Sequence, residues 1–315
     1  VDVDVISDGE TSVIGAIMQH IEPAGIHSGD SACMIPANGI SVAMNREMHR
    51  AAKELAARLN VKGLMNCQFA IKDEQLYVIE VNPRASRTVP FVSKSIGVPL
   101  AKLAAKVMSG MKLTELGFTE EVIPPYSTVK EAVFPWNRFP GIDVVLGPEM
   151  HSTGEVMGID DDVEVAYMKG QISSFNPLPK EGLVFISVND RDKERVVPIA
   201  RDIAKAGFDI CATKGTMIHL LQNGVECERA YKVLEGHRPN IVDRIKNGDI
   251  AFVINTPGSH DAREDEVAIR AAAVTSNISY TTDMSSAKAC AAAILHNKNK
   301  TPGVCTLQEF HARNK

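Results

Sequence analysis

The stretch YVIEVNPRASRTVPF, Tyr77 to Phe91, sets an apolar run directly against a cluster of polar and cationic side chains. Tyr77-Val78-Ile79 is aromatic and β-branched, the pattern of a buried strand. Glu80 and Asn82 alternate beyond it, so in an extended chain they face the same side. A carboxylate and an amide oxygen are hard donors suited to Mg2+. Pro83 ends the ladder, and Arg84 and Arg87 follow at once. Oxygen donors beside paired guanidiniums suit a metal-bound polyphosphate with an anionic co-substrate. Taken alone, E-x-N-P-R also reads as a strand-end salt-bridge cluster.

Around this stretch, LMNCQFAIK and QLYVIEV flank a polar turn at Lys72-Asp73-Glu74, the signature of paired antiparallel strands. VDVDVISDGETSVIGAIMQHI alternates, turns at Asp8-Gly9 and resumes as a second apolar strand. Between these hairpins, REMHRAAKELAARLNV (Arg46 to Val61) places Ala and Leu at helical spacing with charges opposite. An antiparallel sheet with a packed helix follows from this order. PLAKLAAKVMSG predicts another helix. From Leu113 to about Gln171 the chain is rich in Pro and Gly, which reads as a helical and loop connector. Within it GIDDDVEVAY reads as a solvated helix start, its Asp residues capping the first turn.

The composition changes at SFNPLPKEG, Ser174 to Gly182, where a domain boundary is expected, leaving domains at 1–173 and 183–315. Beyond it LVFISV, DICAT and AFVINT are apolar strands, with the amphipathic DKERVVPIARDIAKAGF and other helices between them and a short CERAYKV. Such alternation argues for a parallel sheet covered on both faces. Ligands of such sheets sit beyond the carboxyl ends of the strands, here SVNDRDK, ATKGT and INTPGS. Thr213, Gly215 and Thr216 offer hydroxyls and amides at a helix mouth, with Lys193 and Lys232 as countercharge. Ordinary helix capping by threonine and glycine accounts for the same residues.

At 315 residues the chain is long enough for two cores, and 44% hydrophobic residues are ordinary for a soluble globular protein. A net charge of -5 argues against a dedicated nucleic-acid binder. The 6 cysteines are scattered, without C-x-x-C or zinc-finger spacing, which favours a reducing cytoplasm over disulfides or a zinc site. No apolar run is long enough to cross a bilayer, and no signal peptide is evident. Val1 opens directly in a strand pattern without an initiator Met, so a piece of a longer polypeptide is expected.

GLMNCQFA, YVIEVNPRASRTVPFVSKSIGVPLAKLAAKVMSG and AGIHSGDSAC resemble the second ATP-grasp unit of the carbamoyl-phosphate synthetase large subunit. LGPEMHSTGEVMG, EGHRPNIVDRIKNG and ATKGT resemble the regulatory, methylglyoxal-synthase-like domain of the same family, in the same order. The resemblance implies a mixed α/β and α+β chain: the C-terminal lobe of an ATP-grasp fold with its antiparallel sheet, then a Rossmann-like parallel-sheet domain. It implies phosphorylation of carbamate by ATP, in pyrimidine and arginine biosynthesis, with Mg2+ or Mn2+ as cofactor; it leaves K+ open.

Carried over residue by residue, Gln68, Glu80 and Asn82 are implied as metal ligands, and Gly25, Ile26, His27 and Ser28 as a nucleotide-contacting loop. Arg84 and Arg87 are implied to hold the transferring phosphoryl group and the carbamate. Phosphoryl transfer asks mainly for positioning and charge neutralisation, which metals and arginines supply without a protein nucleophile. Glu22, Asp30 and Glu131, with Tyr280 and Thr282, match an ornithine site; Lys193, Thr213, Thr216, Lys232, Asn255 and Thr256 match a UMP or IMP site. Pro257 stands where the family pattern offers a further hydroxyl.

The family's glutaminase small subunit and the N-terminal part of the large subunit are the implied partners, with a homo-oligomer of the holoenzyme left open. Neither a Gly-rich phosphate-covering loop nor a glutaminase Cys-His pair is found in these residues, so the chain alone is expected to be inactive as a synthase. Two other readings share features with it. Another ATP-grasp carboxylate-amine ligase would carry E-x-N-P-R, and an effector-binding or methylglyoxal-synthase-type domain would carry the second half without ligase activity. The synthase pattern GGDQ is replaced here by EGHRP, which removes the Asp that a lyase would use.

Overall fold

The computed structural model describes residues 1–139, 141–258, 263–298 and 300–313. Strand β1 (Asp2–Asp8) is buried along its whole length and pairs antiparallel with β2 (Ser12–His20). The Asp8 carboxylate closes this hairpin by accepting the Glu10 and Thr11 amides at 2.9 and 2.7 Å. Strand β3 (Cys33–Ile35) precedes helix α1 (Val42–Arg58), which begins before Arg46 because Ser41 Oγ caps the Met44 amide at 3.2 Å. Strands β4 (Lys62–Lys72) and β5 (Gln75–Asn82) follow, and the turn between them is made by Asp73 and Glu74 at φ 51° and 56°.

Next come α2 (Val89–Ile96), which the sequence reading did not separate, and α3 (Leu100–Met108). Val3 and Val5 of β1 pack on Met48, Ala52 and Ala56 of α1, whereas Ile6 faces Val92 and Leu100 on the opposite side. The expected connector holds two strands besides helix and loop. It contributes β6 (Ser127–Val133), β7 (Gly154–Asp160) and α4 (Val163–Ser173). The seven strands run β5-β4-β1-β2-β3-β6-β7, each adjacent pair antiparallel. GIDDDVEVAY thus opens with the end of β7 at residues 158–160, and α4 is not solvated: Val165, Ala166, Tyr167, Gly170 and Gln171 are buried. Gly158 makes this packing possible, since a Cβ there would lie 1.9 Å from the Ala166 carbonyl oxygen.

Tyr77, Val78 and Ile79 form the expected strand but are 47%, 53% and 50% exposed. β5 is the outermost strand, and α1 reaches only its Leu76 and Val81. The apolar run reflects β-propensity at an edge and not double-sided burial.

The second sheet begins after residue 182. Its elements are β8 (Leu183–Ser187), α5 (Lys193–Lys205), β9 (Asp209–Thr213), α6 (Lys214–Gln222), β10 (Glu228–Ala230) and α7 (Ile241–Lys246). They continue with β11 (Ile250–Asn255), α8 (Arg263–Thr275), β12 (Ser279–Thr281), α9 (Met284–Asn297) and α10 (Leu307–Ala312). The strand order is β10-β9-β8-β11-β12, parallel throughout. Val184, Ile186 and Ile254 meet α5 and α9, while Phe185, Cys211 and Val253 meet α7 and α8, so both faces are covered as alternation requires.

The two sheets share core. Ala166 and Tyr167 of α4, with Val129 of β6, belong to the same apolar cluster as Val184, Ile203 and Ala287. Helix α10 returns to the first sheet's elements: Phe310 is buried edge-on to Tyr126 at 5.2 Å, and His311 Nε2 meets the Lys94 carbonyl at 2.6 Å.

Candidate functional site

Two polar rungs cross one face of the first sheet. Glu80 stands opposite Gln68 and Asn82 opposite Asn66; Gln68 in turn faces Asp2, and Asn66 faces Asp4. Asn82 Nδ2 donates to Glu80 at 3.0 Å, as the spacing required. The β1 end of the second rung is buried and satisfied: Asp4 accepts from Asn66 Nδ2 at 2.8 Å and from Thr88 Oγ1 at 2.9 Å. Burial pushes Asp4 up to about 6. Toward the β5 edge both rungs open, with Glu80 exposed and Gln68 and Asn82 half-buried. One carboxylate and two amide oxygens on an accessible ledge fit a hard divalent cation that keeps other ligands on substrate phosphates.

Arg84 is exposed and its Nη1 donates to the Ala85 carbonyl at 3.0 Å. Arg87 is exposed too, but it reaches residues of another segment. Its Nη1 contacts Met150 Sδ and lies 3.5 Å from Ser152 Oγ, and its Nε is 3.9 Å from the Glu155 carboxylate. Glu155 Oε1 is buried without a hydrogen bond, and burial raises this carboxyl against the pull of Lys130 and Arg87. Lys130 is fully buried and donates to the Ser28 carbonyl at 3.2 Å. Lys130 and Glu155 went unrecognised in the sequence because β6 and β7 did.

The loop Gly25, Ile26, His27, Ser28 lies beside them. His27 donates its amide to the Gly147 carbonyl at 2.9 Å, and its Nδ1 accepts the Gly29 amide at 3.0 Å. Accepting at Nδ1 leaves the proton on Nε2, so this edge of the ring is a donor when the imidazole is neutral.

At the carboxyl ends of the second sheet, Ser187 Oγ and Thr213 Oγ1 are 3.1 Å apart, and Thr213 and Thr216 hydroxyls 3.4 Å. Thr216 Oγ1 accepts the Val188 amide, and Thr256 Oγ1 accepts the Asn189 amide at 3.0 Å. Lys193 Nζ lies 3.4 Å from where a Cβ on Gly215 would sit, which places the ammonium over the start of α6. Lys193 also pairs with Asp190 at 2.6 Å. Lys232 follows β10, whose Ala230 pairs with Thr213. Ser259 of the INTPGS strand end lies outside the described residues.

A cavity of about 250 Å3 lies where the two sheets meet, lined by Glu22, Glu131, Gln171, Tyr280, Thr282 and Asp283 among others. Glu22 accepts the Ala32 amide at 2.7 Å and Ser286 Oγ at 3.2 Å; Glu131 accepts Gln171 Nε2 at 2.8 Å. Burial raises both carboxyls, and Asp283 adds to the shift at Glu22, as Glu22 does at Glu131. Asp30 does not line this cavity. Its carboxylate is buried and accepts the His151 and Ser152 amides at 2.8 and 2.9 Å, so it serves as an amide cap between loops. Gln171 and Asp283 were missed; a polar residue inside a helix face as apolar as VEVAYMKGQI was the available signal.

Residues 1–116 match the family described as carbamoyl-phosphate synthase L chain, ATP binding domain, and residues 195–282 match the MGS-like domain. An ATP-binding domain joined to an MGS-like domain is the class these matches define. The chain is 52% identical over 314 residues to the carbamoyl phosphate synthase large chain of Pasteurella multocida, covering 99% of this chain and 29% of that one. It is 51% identical over 310 residues to that of Gemmatimonas aurantiaca, covering 98% and 28%. Among solved structures, 56% of the chain matches 46% of the biotin carboxylase domain of a single-chain bacterial carboxylase at 18% identity and a TM-score of 0.44. The chain belongs to the carbamoyl phosphate synthase large-chain family, and it spans less than a third of the relatives it matches.

Proposed function

We propose that residues 1–173 are the C-terminal lobe of an ATP-grasp unit that transfers the terminal phosphoryl group of ATP to carbamate, and that residues 183–315 bind effectors that control it. The observation that carries this reading is the open ledge of Gln68, Glu80 and Asn82, followed directly by Arg84 and Arg87. In the transfer, a carbamate oxygen forms the new bond to phosphorus as the bond to ADP breaks, giving carbamoyl phosphate. Gln68, Glu80 and Asn82 hold Mg2+ or Mn2+, which neutralises charge on the phosphate oxygens. Arg87 orients the carbamate and shields the anions from one another; Arg84, at the surface, meets the phosphoryl group. His27 and its loop border the nucleotide.

The same reading assigns Glu22 and Glu131, with Tyr280 and Thr282, to the ammonium of ornithine, with Asp30 ordering the adjoining loop. Lys193, Thr213, Thr216, Lys232, Asn255 and Thr256 hold the phosphate of UMP or IMP. The rest of the large subunit and a glutaminase small subunit complete the synthase in the cytoplasm; among the described residues no helix is long and apolar enough to cross a membrane. The test is 31P spectroscopy of the complete synthase with MgATP and carbamate. Carbamoyl phosphate should form at a rate on the order of 100-fold lower in Arg87→Ala. An undiminished rate contradicts the assignment.

A further inference from the structure

The loop between β6 and β7 touches both halves of the chain. At one end stands Asp143; its partner Arg270, on α8, is fully buried. Arg270 Nε and Nη2 grip the two Asp143 oxygens at 2.8 and 2.9 Å, and Nη1 donates to Asn255 Oδ1 at 2.8 Å. A guanidinium only donates, so this contact fixes the Asn255 amide with its nitrogen turned to the Ser187 carbonyl at 3.2 Å. Asn255 is fully buried, so it forms part of the floor beneath the strand ends.

Further along the same loop, Gly147 accepts the His27 amide, and the His151 and Ser152 amides hold Asp30. Met150 and Ser152 touch Arg87. Residues 143–152 therefore run from the floor of the phosphate seat to the proposed catalytic arginine, and Val144 and Leu146 line the acidic cavity on the way. Coupling between distant sites travels through packed and hydrogen-bonded segments of this kind when they have alternative arrangements.

We propose that residues 143–152 are the relay between the effector seat and the phosphoryl-transfer site, with the Arg270–Asp143 pair as its clutch: anion binding at the strand ends above Asn255 changes the grip on Asp143 and so the placement of His27 and Arg87. Arg270 and Asp143 are positioning residues and ligate nothing themselves. The proposal rests on the reading of the strand ends as a nucleotide phosphate seat.

The test uses the complete synthase, with UMP as the probe. Removing Arg270 leaves a buried hole, so the variant is Asp143→Asn, which keeps shape and one acceptor. Three quantities are read: UMP affinity by calorimetry, the ratio of rates with and without saturating UMP, and amide hydrogen exchange at residues 147–152. In the wild type UMP should shift the rate ratio by roughly 5-fold or more and alter exchange in the loop. In Asp143→Asn, UMP should still bind within about 3-fold of wild type, by the same criterion of a coupling residue that is not a ligand, while the rate ratio approaches one and the loop no longer responds. Full coupling with intact binding overturns the relay. Loss of UMP binding in the variant overturns it too, by making Asp143 part of the seat. Absence of UMP binding in the wild type instead removes the seat on which the proposal stands.

Discussion

Glu80 and Gln68 face each other across the β4–β5 ladder, and Asn82 donates to the same Glu80 carboxylate from two residues further on. The tight turn at Asp73 and Glu74 sets the register as far as Phe69 and Val78, and a one-residue bulge at Ile79 then brings Glu80 opposite Gln68. Asn82→Ala should weaken Mn2+ binding in the presence of ADP on the order of 10- to 100-fold, read by electron paramagnetic resonance of free Mn2+. Its fold should be unaffected, because Asn82 closes an accessible rung and not the core.

The acidic cavity has a definite pH signature. Glu22 and Glu131 are raised to about 7 and about 8, so near neutrality the free protein holds protons there. An ammonium needs the ionised carboxylates, hence ornithine affinity should rise as pH climbs through that window, and Glu131→Gln should flatten the rise. Trp136, the one tryptophan, lines the same cavity, so its fluorescence reports the titration directly.

Those shifts act on stability with the opposite sense. The folded-state values lie above the unfolded ones, so the native state binds more protons between the ordinary carboxylate range and about 8. Stability from these groups is greatest at low pH and falls as pH rises through the window. Urea midpoints of wild type and Glu131→Gln should diverge there, with the variant the less pH-sensitive of the two.

Asp30 is a cap for two buried amides, so Asp30→Ala should cost roughly 2–4 kcal/mol in the unfolding free energy of the elements it joins, as each orphaned donor costs its desolvation. Asp30→Asn keeps one acceptor and should cost less. Denaturant titration ranks the two. If ornithine affinity fell far more than stability, Asp30 would be a ligand after all.

Gly158→Ala should destabilise by about 1–3 kcal/mol or more, because the new methyl meets the backbone of α4 at Ala166 and Gly170, which cannot step aside as a side chain can. Thermal unfolding measures it.

Much of this was legible because local signals sufficed. Lys72-Asp73-Glu74 announced the hairpin, and period-2 spacing then put Glu80 and Asn82 together. Apolar strands alternating with helices announced the parallel sheet. β6 and β7 failed to show because STVKEAV carries Lys130 and Glu131, which are buried through partners distant in sequence. Asp30 looked like the other carboxylates, and only burial against the 151–152 amides separates an amide cap from a cavity wall. Arg270 carried no motif; its meaning lies in reaching Asp143 and Asn255 at once.

The central claim is that Glu80 anchors the metal of a phosphoryl transfer to carbamate. The most direct measurement is the reverse reaction, ATP formation from carbamoyl phosphate and ADP by the complete synthase, in wild type and Glu80→Gln. The account expects the rate to fall on the order of 100- to 1000-fold, with an unchanged circular dichroism spectrum because Glu80 is exposed. A variant that makes ATP at the wild-type rate would contradict it.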